Sequence, residues 1–262
     1  MGSGGELGLG SGATYPDLRE RTVLVTGGGG GIGAEIVRHF ARQGSRVGFL
    51  DIDTQNSERL VAELSAEGAS VRFATADLSD IEATRAAIGA IREALGPISI
   101  LVNNAAHDER HRLEEVTPEY WDSRMAVNLK HQFFCAQAVA GDMRALGGGA
   151  IINMGSISWM IGQGGMAGYT AAKSAIVGLT RSLARDLGPD NIRANCIAPG
   201  WIMTDRQIEL WLDEEGEREI MQRQCLKRKL VPADVARVVL FFASAEASAC
   251  TNQTYIVDGG WV

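Results

Sequence analysis

TVLVTGGGGGIGAEIVRHF, residues 22–40, is the stretch on which the fold turns. Thr22 to Thr26 form a β-branched run of strand length, Gly27 to Gly31 are five consecutive glycines, and apolar residues then recur at spacings of three and four. That helical pattern runs up to Gly44, where a glycine C-cap is expected. A strand, a glycine turn and a helix in this order open a βαβ unit. Glycines let the backbone turn tightly and approach a pyrophosphate, which then sits at the helix N-terminus, where free N–H groups and the dipole favour an anion. Two registers fit: G-x-G-x-x-G on Gly28, Gly30 and Gly33, and G-x-x-x-G-x-G on Gly27, Gly31 and Gly33. Taken alone, the run is equally well a polyglycine loop that holds no ligand.

Outward from this unit the alternation continues. RVGFL, SVRFA, ISILVN, AIINM, IRANCI and QTYIV are six more strand-like runs, separated by helical patterns. Seven strands alternating with helices predict an α/β, doubly wound seven-stranded parallel sheet with helices on both faces. The chain of 262 residues is long enough to bury one substantial core, so residues 17–262 are expected to be a single domain. The Gly/Ser-rich residues 1–16 are expected to be a flexible arm. The highly charged segment RQIELWLDEEGEREIMQRQCLKRKL, residues 206–230, interrupted by Gly216, looks like a helical insertion after the sixth strand. It is either a lid over a site at the strand ends or a solvated surface helix pair.

The net charge of −7 argues against nucleic acid or an anionic membrane as main partner, since both require clustered Lys and Arg. Cys135, Cys196, Cys225 and Cys250 are spread without a C-x-x-C, which suggests neither a zinc site nor a disulfide framework and fits a reduced, cytoplasmic protein. No apolar run approaches bilayer-spanning length, and the N-terminus has neither a basic n-region nor an apolar h-region.

Asp51 closes the second strand-like run, roughly 20 residues beyond the glycine loop, where an acidic residue binds a ribose 2′-OH. A carboxylate there favours NAD and repels the 2′-phosphate of NADP, and neither the loop nor Ile52 supplies a base to reverse this. Asp53, beyond the strand end, is the rival. Further along, AGYTAAKSA, residues 167–175, places Tyr169 and Lys173 one helical turn apart, and Ser156 lies thirteen residues upstream at the end of AIINMGS. Tyrosine is a poor base near neutral pH, with an unperturbed pKa near ~10; an adjacent ammonium and a positive nicotinamide ring would stabilise phenolate. Lys173 is therefore expected to tune Tyr169.

TGGGGGIG, Asp77 in TADL, NNA at 103–105, Asn128 in MAVNL, Ser156, the YTAAK unit, PG at 199–200 and DGG near the C-terminus together resemble the short-chain dehydrogenase/reductase family in order and spacing, over almost the whole chain. The resemblance implies a Rossmann fold and selects the register Gly27, Gly31, Gly33, with Ile32 in the loop. It implies that Asp77 and Leu78 lie near adenine, that Asn103 shapes the cofactor cleft, and that Pro199, Gly200, Ile202 and Thr204 lie by the nicotinamide, Ile202 and Thr204 meeting its carboxamide. By the same resemblance Asn128, Ser156, Tyr169 and Lys173 form a catalytic tetrad. Tyr169 would be the general base, Ser156 would orient the reacting oxygen, Lys173 would also bind the nicotinamide ribose, and Asn128 would hold a helix backbone open for a proton-relaying water. Each has an ordinary structural account, as a turn, cap or strand end, but their joint occurrence outweighs those accounts. A homotetramer or dimer through the helix carrying Tyr169 is also implied. One departure is Ala106, which replaces the glycine of the usual N-N-A-G and is expected to disturb the following loop.

YPDL, HDERHRLEEVT, YWD with NLKHQFFCAQAV, GGGAIINMGSISW and QCLKRKLVP further resemble bacterial sugar 1-dehydrogenases acting on aldoses such as D-xylose, L-arabinose or D-galactose. That resemblance implies oxidation of the cyclic sugar at C1 to an aldonolactone. A polyol needs several fixed hydrogen bonds and often an aromatic face, which His107, Asp108, Trp159, Gln163 and Trp201 offer alongside Ser156 and Tyr169. His107 and His111 have the i, i+4 spacing of helical zinc ligands, but they follow a strand in a loop without a third ligand, so no metal is expected. Met160, Ile161 and Met166 keep a second substrate class open, another secondary alcohol such as a hydroxyacyl thioester or a steroid. A catalytically silent cofactor-binding sensor is the reading from outside enzymology; the complete tetrad argues against it.

Overall fold

The computed structural model describes residues 12–262. Most of the expected N-terminal arm, residues 1–11, lies outside the described residues. From Ala13 the chain is tied down: the Tyr15 amide donates to Gln43 Oε1 (2.8 Å), Gln43 Nε2 donates to the Ala13 carbonyl (3.1 Å), and Leu18 is buried in a short 3₁₀ turn.

The glycine stretch folds as β1 (Thr22–Thr26), a turn, and α1 (Gly31–Arg42). There follow β2 (Arg46–Asp51), α2 (Thr54–Ala66), β3 (Val71–Thr75), α3 (Ile81–Leu95) and β4 (Ile100–Asn103). The second half contains α4 (Pro118–Met125), α5 (His131–Ala145), β5 (Gly149–Met154), α6 (Ala167–Leu187) and β6 (Ile192–Pro199). It ends with α7 (Asp205–Trp211), α8 (Glu214–Arg223), α9 (Pro232–Ala243) and β7 (Thr254–Val257). All seven strands are parallel, in the order β3-β2-β1-β4-β5-β6-β7. Each strand-like run of the sequence becomes one of them. IRANCI continues two residues further, to Pro199, because Pro199 still pairs with Val257 on the edge strand.

β1 explains why these runs read as continuous apolar stretches. Val23 and Val25 face a core formed with Ile36 and Phe40 of α1 and Val235 and Val239 of α9, while Leu24 faces the opposite core of α3, α5 and α6. A strand covered on both faces has no polar side to alternate with. The strand order reverses between β1 and β4, the switch point at which open α/β sheets bind ligands beyond their carboxyl ends.

The charged insertion is helical, but its break is not at Gly216. α7 ends at Trp211, and Asp213 starts α8 by accepting from the Gly216 amide (2.8 Å). Gly216 sits inside α8 because the Trp201 ring packs against its backbone, where a Cβ would come within 2.8 Å of the indole. Among the described residues, no helix is long and apolar enough to cross a membrane.

Candidate active site

Residues at the carboxyl ends of the strands enclose one cleft of about 970 Å³. Its first half is made largely of backbone. Gly27 and Gly31 have φ of 65° and 51°, the left-handed region, and both line the cleft. Gly33 is one turn into α1, where a Cβ would lie 1.8 Å from the Gly27 carbonyl oxygen. Gly28 faces away, against the Phe49 ring, so the register Gly27, Gly31, Gly33 is the one that lies wholly on the cleft. Among the described residues no side chain caps α1, and no acid occupies its first turn, which leaves the positive end of the helix to an anion.

Asp51 is held at this end by two backbone donors: Oδ2 accepts from the Gly29 amide (2.8 Å) and Oδ1 from the Asp53 amide (2.9 Å). Asp53 is instead the N-cap of α2, accepting from the Asn56 amide (3.1 Å). Ile52, Asp77 and Leu78 line the same end, and Asp77 Oδ1 is anchored by the Ser79 amide (2.9 Å) and hydroxyl (2.7 Å).

The second half is made of side chains. α6 presents Tyr169 and Lys173 on one face, with the Lys173 ammonium 5.5 Å from the Tyr169 ring centroid. Lys173 is 1% exposed and donates to the Met154 carbonyl at the end of β5 (2.7 Å); burial pushes its pKa down to about 8. Tyr169 is partly open to the cleft but surrounded by protein elsewhere. Burial first, and the Asp108 carboxylate second, raise its pKa, against a smaller opposing effect of the Ser156 hydroxyl. The tuning of Tyr169 is expected from Lys173 together with a positive nicotinamide ring; in the chain by itself burial sets the direction. Ser156 Oγ also accepts from the Ser158 amide (3.1 Å), which fixes the turn after β5.

Asn128 is fully buried in a π-turn, Ala126–Lys130, between α4 and α5. Its Oδ1 accepts from the His107 amide (2.8 Å) and its Nδ2 donates to the His107 carbonyl (3.1 Å), so it clamps the loop after β4 from below. His107 itself touches Arg124, and burial and that guanidinium hold its pKa below the ordinary value. Ala106 keeps a negative φ, so alanine fits there without backbone strain. Asp108, Gln163, Trp201, Ile161 and Met166 join these residues along the cleft, as do Pro199, Gly200, Ile202 and Thr204 at the end of β6.

The family model described as enoyl-(acyl carrier protein) reductase matches residues 28–262. The chain is 49% identical over 251 residues to D-xylose 1-dehydrogenase of Caulobacter vibrioides (strain NA1000 / CB15N), covering 96% of this chain and 99% of that one. It is 51% identical over 247 residues to the "Probable galactose dehydrogenase GalD" of Rhizobium meliloti (strain 1021), covering 94% and 96%. The chain belongs to the short-chain dehydrogenase/reductase family. A solved structure, a 7α-hydroxysteroid dehydrogenase complexed with NADH and 7-oxo glycochenodeoxycholic acid, superimposes with a TM-score of 0.89 at 31% identity, covering 94% of this dehydrogenase and 96% of that chain.

Three expected site residues of this dehydrogenase lie off the cleft: Asn128, buried in the π-turn, Asn103 and Trp159. Asn103 is fully buried, donating to the Gln132 carbonyl (3.1 Å) and to Asn153 Oδ1 (2.9 Å), because the last residue of β4 points into the layer beneath the sheet. Its neighbour Asn104 lines the cleft instead, with Nδ2 donating to the Thr26 and Gly27 carbonyls (both 3.0 Å), which ties β4 to the glycine loop. Trp159 stands outside the cleft, since the tight turn after β5 sends Ile157, Ser158 and Ile161 inward and Trp159 and Met160 away. Sequence reasoning also missed Trp261, which lines the cleft from the C-terminus. Asp258 folds that tail back, accepting from the Gly260 (2.8 Å) and Val262 (2.9 Å) amides; the DGG next to Trp261 was the available signal.

Proposed function

We propose that this dehydrogenase oxidises an aldose at C1 to the aldonolactone, with NAD as cofactor and Tyr169 as general base. The observation that carries the reading is the convergence of Ser156, Tyr169 and Lys173 on the cleft that also holds the glycine loop and Asp51. Two relatives of about half identity bear the names of D-xylose and galactose dehydrogenases, which supports the sugar.

The residues present fit a nicotinamide dinucleotide. The uncapped N-terminus of α1 and the close glycine backbone suit a pyrophosphate, and Asp51, held by two amides, suits a ribose diol. Asp51 supports NAD over NADP. When bound, the oxidised nicotinamide supplies the acceptor for the hydride leaving C1. The chain does the rest: Ser156 orients the anomeric hydroxyl, the positive charge of Lys173 beside the ring favours the phenolate form of Tyr169, and that phenolate takes the hydroxyl proton to become phenol. Asn128 keeps the His107 loop in place against the sugar. Residues 205–223 form the lid, since Asp205, Arg206, Gln207 and Glu219 all line the cleft. A homo-oligomer through α6 and a reduced, cytoplasmic setting, consistent with four free cysteines, complete the proposal.

NADH formation across pentoses, hexoses, secondary alcohols, hydroxyacyl thioesters and steroids tests it. One or two aldoses should turn over, and Tyr169→Phe should lower kcat by roughly 10³. Silence on sugars with turnover elsewhere would discard the substrate and keep the chemistry; the apolar Ile161 and Met166 in the cleft make another secondary alcohol the next reading.

A further inference from the structure

α7 is a short helix without an anchor of its own. It buries no residue, and Ile208 and Leu210 are about half exposed. A seven-residue helix is too short to persist on propensity, so tertiary contacts must hold it over the cleft. Two such contacts come from the opposite wall. In the loop after β4, Asp108 accepts from Arg206 Nε (3.2 Å) and Gln207 Nε2 (2.6 Å), both in the first turn of α7. Two residues along the same loop, the Arg110 guanidinium lies 4.0 Å from the ring centroid of Trp211, the last residue of α7. Loop and helix are thus joined at both ends of the helix, across a sequence separation of 98 residues or more.

The two ties differ in what else they touch. Asp108 also faces Tyr169, so removing it changes the reacting end as well. Arg110 and Trp211 form a tie at the outer end of α7; Arg110 also lines the cleft but Trp211 does not, so Trp211→Leu reads the tie alone.

We infer that Arg110 is a positioning residue: its stacking on Trp211 latches the outer end of α7 over the substrate end of the cleft and so sets how tightly the alcohol substrate is retained. The inference rests on the lid reading of residues 205–223. An exposed cation over an indole shifts an open–closed equilibrium by a factor of roughly three. The cofactor end has no part in this contact, so cofactor binding should not respond to it.

Arg110→Ala, Trp211→Leu and the double variant test it, with whichever alcohol the wild-type enzyme oxidises and saturating NAD. Each single variant should raise substrate KM about threefold, leave the KM for NAD unchanged, and speed amide hydrogen exchange within residues 205–211. The double variant should go no further than either single one, because the two side chains make one contact. The inference is overturned by effects that multiply in the double variant, by Trp211→Leu leaving substrate KM unchanged, or by exchange in 205–211 that does not respond. A fall in kcat together with a raised KM for NAD would assign the pair to general stability and overturn it too. The sugar reading fails separately, by silence across the substrate panel, while the exchange measurement decides the latch without any substrate.

Discussion

The two halves of the cleft are built from different materials. The glycine-loop half uses backbone: amide groups at the start of α1, glycines packed onto carbonyls, and one carboxylate held by two amides. The catalytic and lid half uses side chains from four distant segments, the loops after β4, β5 and β6 and the C-terminal tail. Backbone placed by a strand–turn–helix unit has almost no freedom to rearrange. Side chains crossing between loops do, and they can be exchanged without disturbing the sheet. The first half therefore suits a ligand that never changes, the second a ligand that distinguishes one dehydrogenase from another.

The largest effect that would break this contrast is expected at Gly33. An added methyl would meet the Gly27 carbonyl at 1.8 Å, and neither backbone can yield without unmaking the turn. Gly33→Ala should weaken cofactor binding by roughly 10³, about 4 kcal/mol, as read by calorimetric titration with NAD. Gly30→Ala is the control. A Cβ there meets nothing within 4 Å, so affinity should change by far less if close packing rather than glycine content makes the loop. Equal losses in both variants would contradict the packing account.

Legibility in the sequence follows the same division. The parallel sheet and the place of the glycine turn were readable because local rules fix them: β-branched runs, helical periodicity, and a turn wherever a strand feeds a helix; the register within the five glycines was not, since local spacing fits two and the family resemblance chose between them. Asn103 against Asn104 was not decidable, because a one-residue difference in where β4 ends reverses which side chain faces the cleft. Trp159 and Trp261 were misjudged for a related reason. Proximity to Ser156 in sequence did not survive a tight turn, whereas the C-terminal tail is brought in by Asp258, a contact visible only in three dimensions. Lys173 and Tyr169 share one face of α6, as the one-turn spacing implied, but both pKa directions are set first by burial, which no spacing encodes.

Lys173 gives the next largest effect. Its ordinary pKa of 10.5 falls to about 8 in the folded protein, chiefly by burial, so between these values the unfolded chain binds the extra proton. Stability then rises with pH across that window, and below about pH 8 the cost of burying the ammonium is present in full. At about 1.4 kcal/mol per pKa unit the whole window amounts to about 3 kcal/mol. Lys173→Met removes it. The stability of wild type relative to Lys173→Met, from urea midpoints, should therefore increase from pH 7.5 to pH 10. Cys196, raised to about 11 by burial, has the opposite slope, as does Tyr169, but both are common to the two proteins and largely cancel in the difference. A difference that stays flat with pH would show that the lysine is buried at no cost.

Asp51 tests cofactor choice. Asp51→Asn keeps an acceptor for the Gly29 amide but removes the charge, so the loop should survive while discrimination against a 2′-phosphate weakens. The ratio of kcat/KM for NAD over NADP is expected to fall roughly 30-fold, about 2 kcal/mol. An unchanged ratio would move the preference elsewhere in the cleft.

The smallest effect is the one that separates position in sequence from position in space. Trp261 lines the cleft although it lies at the far end of the chain, and Trp159 stands outside it although it lies three residues from Ser156. The indole nitrogen of Trp261 is buried without a partner among the described residues, and a buried donor of that kind is stabilised by a hydroxyl that reaches it. Trp261→Ala should then raise sugar KM roughly fivefold, about 1 kcal/mol, with the KM for NAD unaltered. Trp159→Ala should leave both constants within a factor of two, since it removes a partly exposed ring that faces solvent. The reverse outcome, a sugar KM that follows Trp159 and ignores Trp261, would mean that the substrate lies along the outer rim of the β5–α6 turn. The side-chain half of the cleft would then have to be redrawn around that turn, with the backbone half left as it stands.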